Sequence, residues 1–169
     1  MRALGALMAF AACSAMGLLR VASERRRIET LAAMSEALGV MRGELAARLT
    51  AIPALTEYMA RHSRGDVQSF FAAVLDRLPQ LGKRELSELW CESVMEALPS
   101  LETDELRELA SVGLVLGRCE LDVQLAALDR CAAALRAAQE RAQAEYPQQK
   151  RLSLGVSAAA GLMLVTVLI

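Results

Sequence analysis

An all-α fold is predicted: a six-helix antiparallel bundle flanked by an N-terminal and a C-terminal transmembrane helix. Three observations point there. Apolar residues recur every three or four positions through the middle of the chain, which is the helical period. Strand-type alternation is absent, and the composition is rich in Ala and Leu. Finally, both ends carry apolar runs without a charged side chain, 3–19 and 152–169.

The C-terminal run follows Lys150 and Arg151 and reads LSLGVSAAAGLMLVTVLI. As a helix it reaches roughly 27 Å, close to the roughly 30 Å hydrocarbon core of a bilayer. The expectation is a span that ends at the far surface. The N-terminal run is shorter and is interrupted by Gly5, Ser14 and Gly17. It reads as an uncleaved anchor. A signal peptide cut after Ala9-Phe10-Ala11 and a lipoprotein built on Phe10-Ala11-Ala12-Cys13 are the alternatives, and the second normally has an aliphatic residue where Phe10 stands. Arg20, Arg25, Arg26 and Arg27 follow the first run, and Arg141, Lys150 and Arg151 precede the second. Basic residues resist translocation, so both runs favour a cytoplasmic middle. The expected organisation is therefore an anchor over 1–20, a cytoplasmic bundle over 21–151 and a second anchor over 152–169.

Within the bundle, Ile28, Leu31, Met34, Leu38, Met41, Leu45, Leu49 and Ile52 draw one stripe along a long first helix. Gly39 and Gly43 on that helix are expected to let a neighbour inside the domain approach closely. Pro53 opens a short second helix, where its missing N–H costs nothing. After the break at HSRGD, Asp66 is expected to cap a third helix carrying Val67, Phe70, Phe71, Val74 and Leu78. Pro79 and Gly82 end it. The fourth helix carries Leu86, Leu89, Trp90, Val94 and Leu98, and Pro99 closes it. Thr103 is the expected N-cap of the fifth, with Asp104 and Glu105 at the positive end of its dipole. Leu106, Leu109, Val112 and Leu116 form the inner face, with Gly117 as the stop. From Glu120 an Ala-rich sixth helix presents Leu121, Leu125, Leu128 and Leu135, and Pro147 is expected to kink it.

Some function classes fit poorly. The net charge of −1 and an aromatic content of 4% do not suit a nucleic-acid binder. His62 is the only histidine, too few for a conventional zinc site or a His-based dyad. Cys13, Cys91, Cys119 and Cys131 form no C-x-x-C pair and read as reduced, core-filling thiols. No cofactor and no small-molecule substrate are expected. A membrane hydrolase would need a nucleophile with a base or converging carboxylates, whereas the acids here are spread over helix surfaces. A stand-alone, membrane-tethered regulatory adaptor is the other alternative.

One stretch is more specific. The junction of helices five and six reads G-x-x-L-G-x-x-acid-x-x-x-Gln, as Gly113, Leu116, Gly117, Glu120 and Gln124. With Trp90 followed by Val94, and with Lys150 before Leu154-Gly155, the order of features resembles the stage III sporulation protein AB family of endospore-forming bacteria. The likeness covers nearly the whole chain. Val112 stands where the family often has an aromatic, Ile52-Pro53-Ala54-Leu55 where it often has Thr-Pro-Leu, and Pro147 replaces a helix former. The family is similar to the cytoplasmic domains of inner-membrane platform proteins of type II secretion and type IV pili. The resemblance implies a non-enzymatic part of a channel-like apparatus between mother cell and forespore, in the mother-cell membrane around the forespore. Implied partners are a secretion-type cytoplasmic ATPase, other membrane proteins of the complex and the lipid bilayer. Mixed charge beside the rigid junction, namely Arg107, Arg118 and Glu120, is the candidate docking surface.

Overall fold

The structure, a computed structural model, describes the backbone of residues 2–48 and 51–168 and the side chains of residue 16, residues 19–47 and residues 51–147. Among these there are six α-helices and no strand. In chain order they are α1 (Arg2–Arg48), α2 (Ile52–His62), α3 (Gly65–Arg77), α4 (Leu86–Ala97), α5 (Thr103–Gly113) and α6 (Leu121–Leu168), with a 3₁₀ turn at Leu78–Gln80 after α3. The chain divides into two compact units. One combines Met1–Ile28 with Arg141–Ile169, and the other is Glu29–Glu140.

The second unit holds the core. The α1 stripe is buried at Leu31, Met34, Leu38, Met41 and Leu45, while Leu49 lies outside the described residues. It joins Leu55 and Met59 of α2, Val67, Phe70, Phe71 and Val74 of α3, Trp90 and Val94 of α4, Leu109 and Val112 of α5, and Leu128 and Leu135 of α6. Each large apolar side chain fully buried this way contributes about 1.5–3 kcal/mol relative to exposure. Trp90 stands edge-on to Phe70, with ring centroids 4.8 Å apart at 87°. This is the arrangement the aromatic quadrupoles favour.

Side-chain contacts give the helix directions. At one end of this unit Thr30, near the start of the α1 stripe, meets Asp66 at the start of α3 and Ser100 after α4. At the other end a Cβ placed on Gly117 would lie 3.9 Å from Ile52 and 3.7 Å from Leu86, at the starts of α2 and α4. Between the two, Arg42 of α1 pairs with Asp129 of α6 at 3.0 Å. Successive helices thus run up and down, as the short connections require.

Several local expectations change. The N-cap of α5 is Glu102, not Thr103. The Glu105 carboxylate accepts the Glu102 N–H at 2.8 Å, and the Glu102 side chain accepts the backbone N–H of Glu105, which makes a capping box. Asp66 does not cap α3, whose N-cap is Arg64, because its carboxylate serves Thr30 and Ser100 instead. Gly39 and Gly43 face outward with nothing within 4 Å of an added Cβ, so they serve no close approach inside the domain. Pro147 keeps its expected place inside α6, which continues past it. Of the thiols, Cys131 fills the core, and burial followed by the nearby Glu108 pushes its pKa up to about 12. Cys91 and Cys119 are exposed, because they fall on outer faces of the turns that carry them, and Cys13 lies outside the residues whose side chains are described.

Among the described residues no helix is long and apolar enough to cross a membrane. The runs on which the predicted spans rest lie outside the described side chains, apart from Met16 and Leu19.

Candidate functional site

The α5–α6 junction sits at the end of the bundle shared with Ile52 and Leu86, and each residue of its pattern has a separate task. Gly113, not the expected Gly117, ends α5, so Leu116 falls in the turn beyond it; Gly113 lies against Trp90. A Cβ there would lie 2.6 Å from Trp90 Cδ1 and 2.9 Å from its Cβ, distances that side chains do not tolerate. The missing side chain lets the indole press onto α5, and its Nε1–H donates to the Leu109 carbonyl at 2.8 Å. A buried indole N–H left without a partner would cost about 1–3 kcal/mol.

Beyond Gly113 the chain turns once more. The Leu116 N–H donates to the Val112 carbonyl at 3.1 Å, and the Leu116 side chain is buried. Gly117 then takes φ = +72°, a region that a side chain disfavours by roughly 1–2 kcal/mol. The reversal sends the Arg118 and Cys119 N–H groups back to the Val115 carbonyl at 3.3 and 3.2 Å. The carbonyls left open at the end of α5 are met just before the reversal, Ser111 by the Leu114 N–H and Val112 by those of Val115 and Leu116.

Gln124 closes the corner from the first turn of α6. Its Oε1 accepts the Gly117 N–H at 3.1 Å, and its Nε2 donates to the Cys119 carbonyl at 2.7 Å. One amide therefore straps both sides of the reversal to the next helix. Glu120 is the residue before α6, and its carbonyl accepts the N–H groups of Val123 and Gln124 at 3.1 Å. Its exposed carboxylate stands at the positive end of the helix dipole.

Of the predicted docking residues, the structure brings two to this corner. Arg118 reaches across to Glu85, the N-cap of α4, at 2.6 Å. Glu120 is two residues on. Arg107 lies apart, about 9 Å before Gly113 along α5, and pairs with Asp104 at 2.9 Å. Glu85 was not legible as a partner, because 33 positions separate it from Arg118 and no local pattern joins them. Beside Glu85, Arg84 pairs with Glu88 and Glu92, and Arg77 with Glu92 and Glu96. The hydrogen bond from Arg84 holds the Glu92 carboxyl below its ordinary range. The glutamates are exposed and Arg77 and Arg84 half-buried, so water screens the pairs from one side and they add modest stability. They present an ordered, mixed-charge surface.

Leu114 is 63% exposed and Val123 45% exposed on either side of the corner. Apolar positions set among fixed charges suit recognition of another surface. Among the described residues no group of three His, Cys, Asp or Glu side chains is placed to hold a metal ion.

No curated protein and no solved structure matches the chain. The profile of the stage III sporulation protein AB family does, over residues 2–169. Since that match takes in the glycine–glutamine corner, its tryptophan and both apolar ends, the chain belongs to the stage III sporulation protein AB family.

Proposed function

We propose that the protein is a non-enzymatic platform in the mother-cell membrane around the forespore. Its two apolar ends span that membrane, and its bundle faces the cytoplasm as part of a secretion-like channel complex. The bundle docks a secretion-type ATPase and other membrane subunits through the corner at residues 113–124. The observation that carries the reading is the family match over residues 2–169, which includes both charge-free ends together with the bundle. Exposure of Met16 and Leu19 at 63% and 69% supports it, since large apolar side chains one turn apart gain by facing lipid. Confinement to a membrane plane raises the effective concentration of a bundle for its membrane-bound partners. Arg118, Glu120 and Leu114 form the centre of the docking surface, with Arg107 at its margin.

The test is purification of the full-length protein from sporulating cells in mild detergent. The protein is expected in the membrane fraction, resistant to alkaline extraction, together with an ATPase and small membrane proteins. Arg107→Glu combined with Arg118→Glu should release the ATPase without changing the helical signal. Recovery of the wild-type chain in the soluble fraction would overturn the membrane placement. ATPase retention by the double variant, with sporulation intact, would overturn the docking surface.

A further inference from the structure

The formal net charge of −1 conceals a sharp division. The unit made of Met1–Ile28 and Arg141–Ile169 contains eight Lys and Arg against two acids, Glu24 and Glu145, a net of +6. Glu29–Glu140 contains eleven against eighteen, a net of −7. The near-neutral total, which spoke against a nucleic-acid binder, is thus the difference between two strongly charged units. In the terminal unit the side chains of Arg20, Arg25, Arg26 and Arg141 are exposed, and Arg27 is half-buried with Glu24 3.6 Å away.

We propose that the terminal unit binds anionic lipid headgroups, so that the protein selects negatively charged membrane over neutral bilayer. The inference rests on the membrane reading above and names the lipid class it requires. Charge alone would suit any polyanion, including nucleic acid. The order along α1 decides for lipid: exposed Met16 and Leu19 run directly into exposed Arg20, and Arg25–Arg27 follow less than two turns later. A lipid surface offers an apolar phase with phosphates at its edge, in that same order. Duplex nucleic acid offers phosphates with no apolar phase beside them for Met16 and Leu19 to enter. Arginine stems extend along apolar surface while their guanidinium groups reach the headgroups, and each basic residue near an anionic surface adds to the attraction. The bundle, net negative, gains nothing from the same surface, which confines the preference to the terminal unit.

The experiment reconstitutes the full-length protein into equimolar phosphatidylglycerol and phosphatidylcholine, repurifies it in mild detergent and quantifies the phospholipid retained. Phosphatidylglycerol should be enriched about threefold or more, and the enrichment should collapse at about 0.5 M salt. Arg25→Gln, Arg26→Gln and Arg27→Gln together should lower it, while the corresponding three lysine substitutions should keep it. Equal retention of both lipids overturns the proposal. Release of the retained lipid by short duplex DNA at equal phosphate concentration assigns the arginines to nucleic acid and also overturns it. Flotation with pure phosphatidylcholine vesicles separates the two readings. A protein that floats there without preferring phosphatidylglycerol keeps its membrane placement and loses only the lipid selectivity, whereas one that floats with neither lipid loses both.

Discussion

The two ends of the bundle are closed by different physics. At the Thr30 end, three segments meet on one carboxylate: Asp66 accepts the hydroxyls of Ser100 at 3.0 Å and Thr30 at 3.2 Å. That closure is made by side chains and could be rebuilt with other polar groups. At the Gly117 end, closure depends on backbone. One glycine is there because an indole occupies the space of its side chain, another because the chain must turn with positive φ, and a glutamine amide holds the reversal. Replacement at the second end therefore meets steric limits, whereas at the first it meets only hydrogen-bond accounting. An end built on backbone geometry is stiff, which suits the docking surface proposed for it.

The sharpest way to break this contrast is Gly113→Val. It should destabilise the domain by about 3 kcal/mol or more through overpacking and loss of the Trp90–Leu109 bond. Denaturant unfolding followed by Trp90 fluorescence measures it, and a spectrum unshifted from wild type would show that the indole never depended on the missing side chain. Asp66→Ala comes next, with a loss of about 1–3 kcal/mol from two hydroxyls deprived of their acceptor. Asp66→Asn, which keeps an acceptor oxygen, should recover part of it. If asparagine recovers nothing, charge rather than hydrogen bonding closes that end.

Gly117→Val should cost about 1–2 kcal/mol from the positive φ alone, because the space around it is adequate. An unchanged melting temperature would mean that the reversal has another way to form. The smallest effect belongs to Arg118→Ala. The Arg118–Glu85 pair is more than half exposed on both sides, so melting should stay within about 1 °C of wild type. Partner capture by this variant should nonetheless weaken. That combination would separate a recognition residue from a structural one.

Much of this was readable in advance because helices write their packing into the sequence at short range. The stripe from Leu31 to Leu45, the aromatic core around Trp90 and the turn at Gly117 all follow from spacing and residue type. The helix starts were less legible. Glu102 took the cap expected of Thr103 because a glutamate three residues on completes a reciprocal pair, and Asp66 was drawn away from capping by two hydroxyls 34 and 36 residues distant. The function of Gly113 was visible as a pattern but not as a mechanism, since its reason is a side chain on another helix.

What the sequence determined by itself was the set of helices, the faces they bury, the two charge-free ends and the corner motif, all consequences of periodicity and local backbone preference. Tertiary structure alone decided which glycine was needed for space and which for φ, which glutamate Arg118 would meet, and that Gly39 and Gly43 would stay open. It also grouped the basic ends into one unit and left most of the acids to the other. These are facts about residues distant in the chain and adjacent in space, and periodicity carries no information about such neighbours.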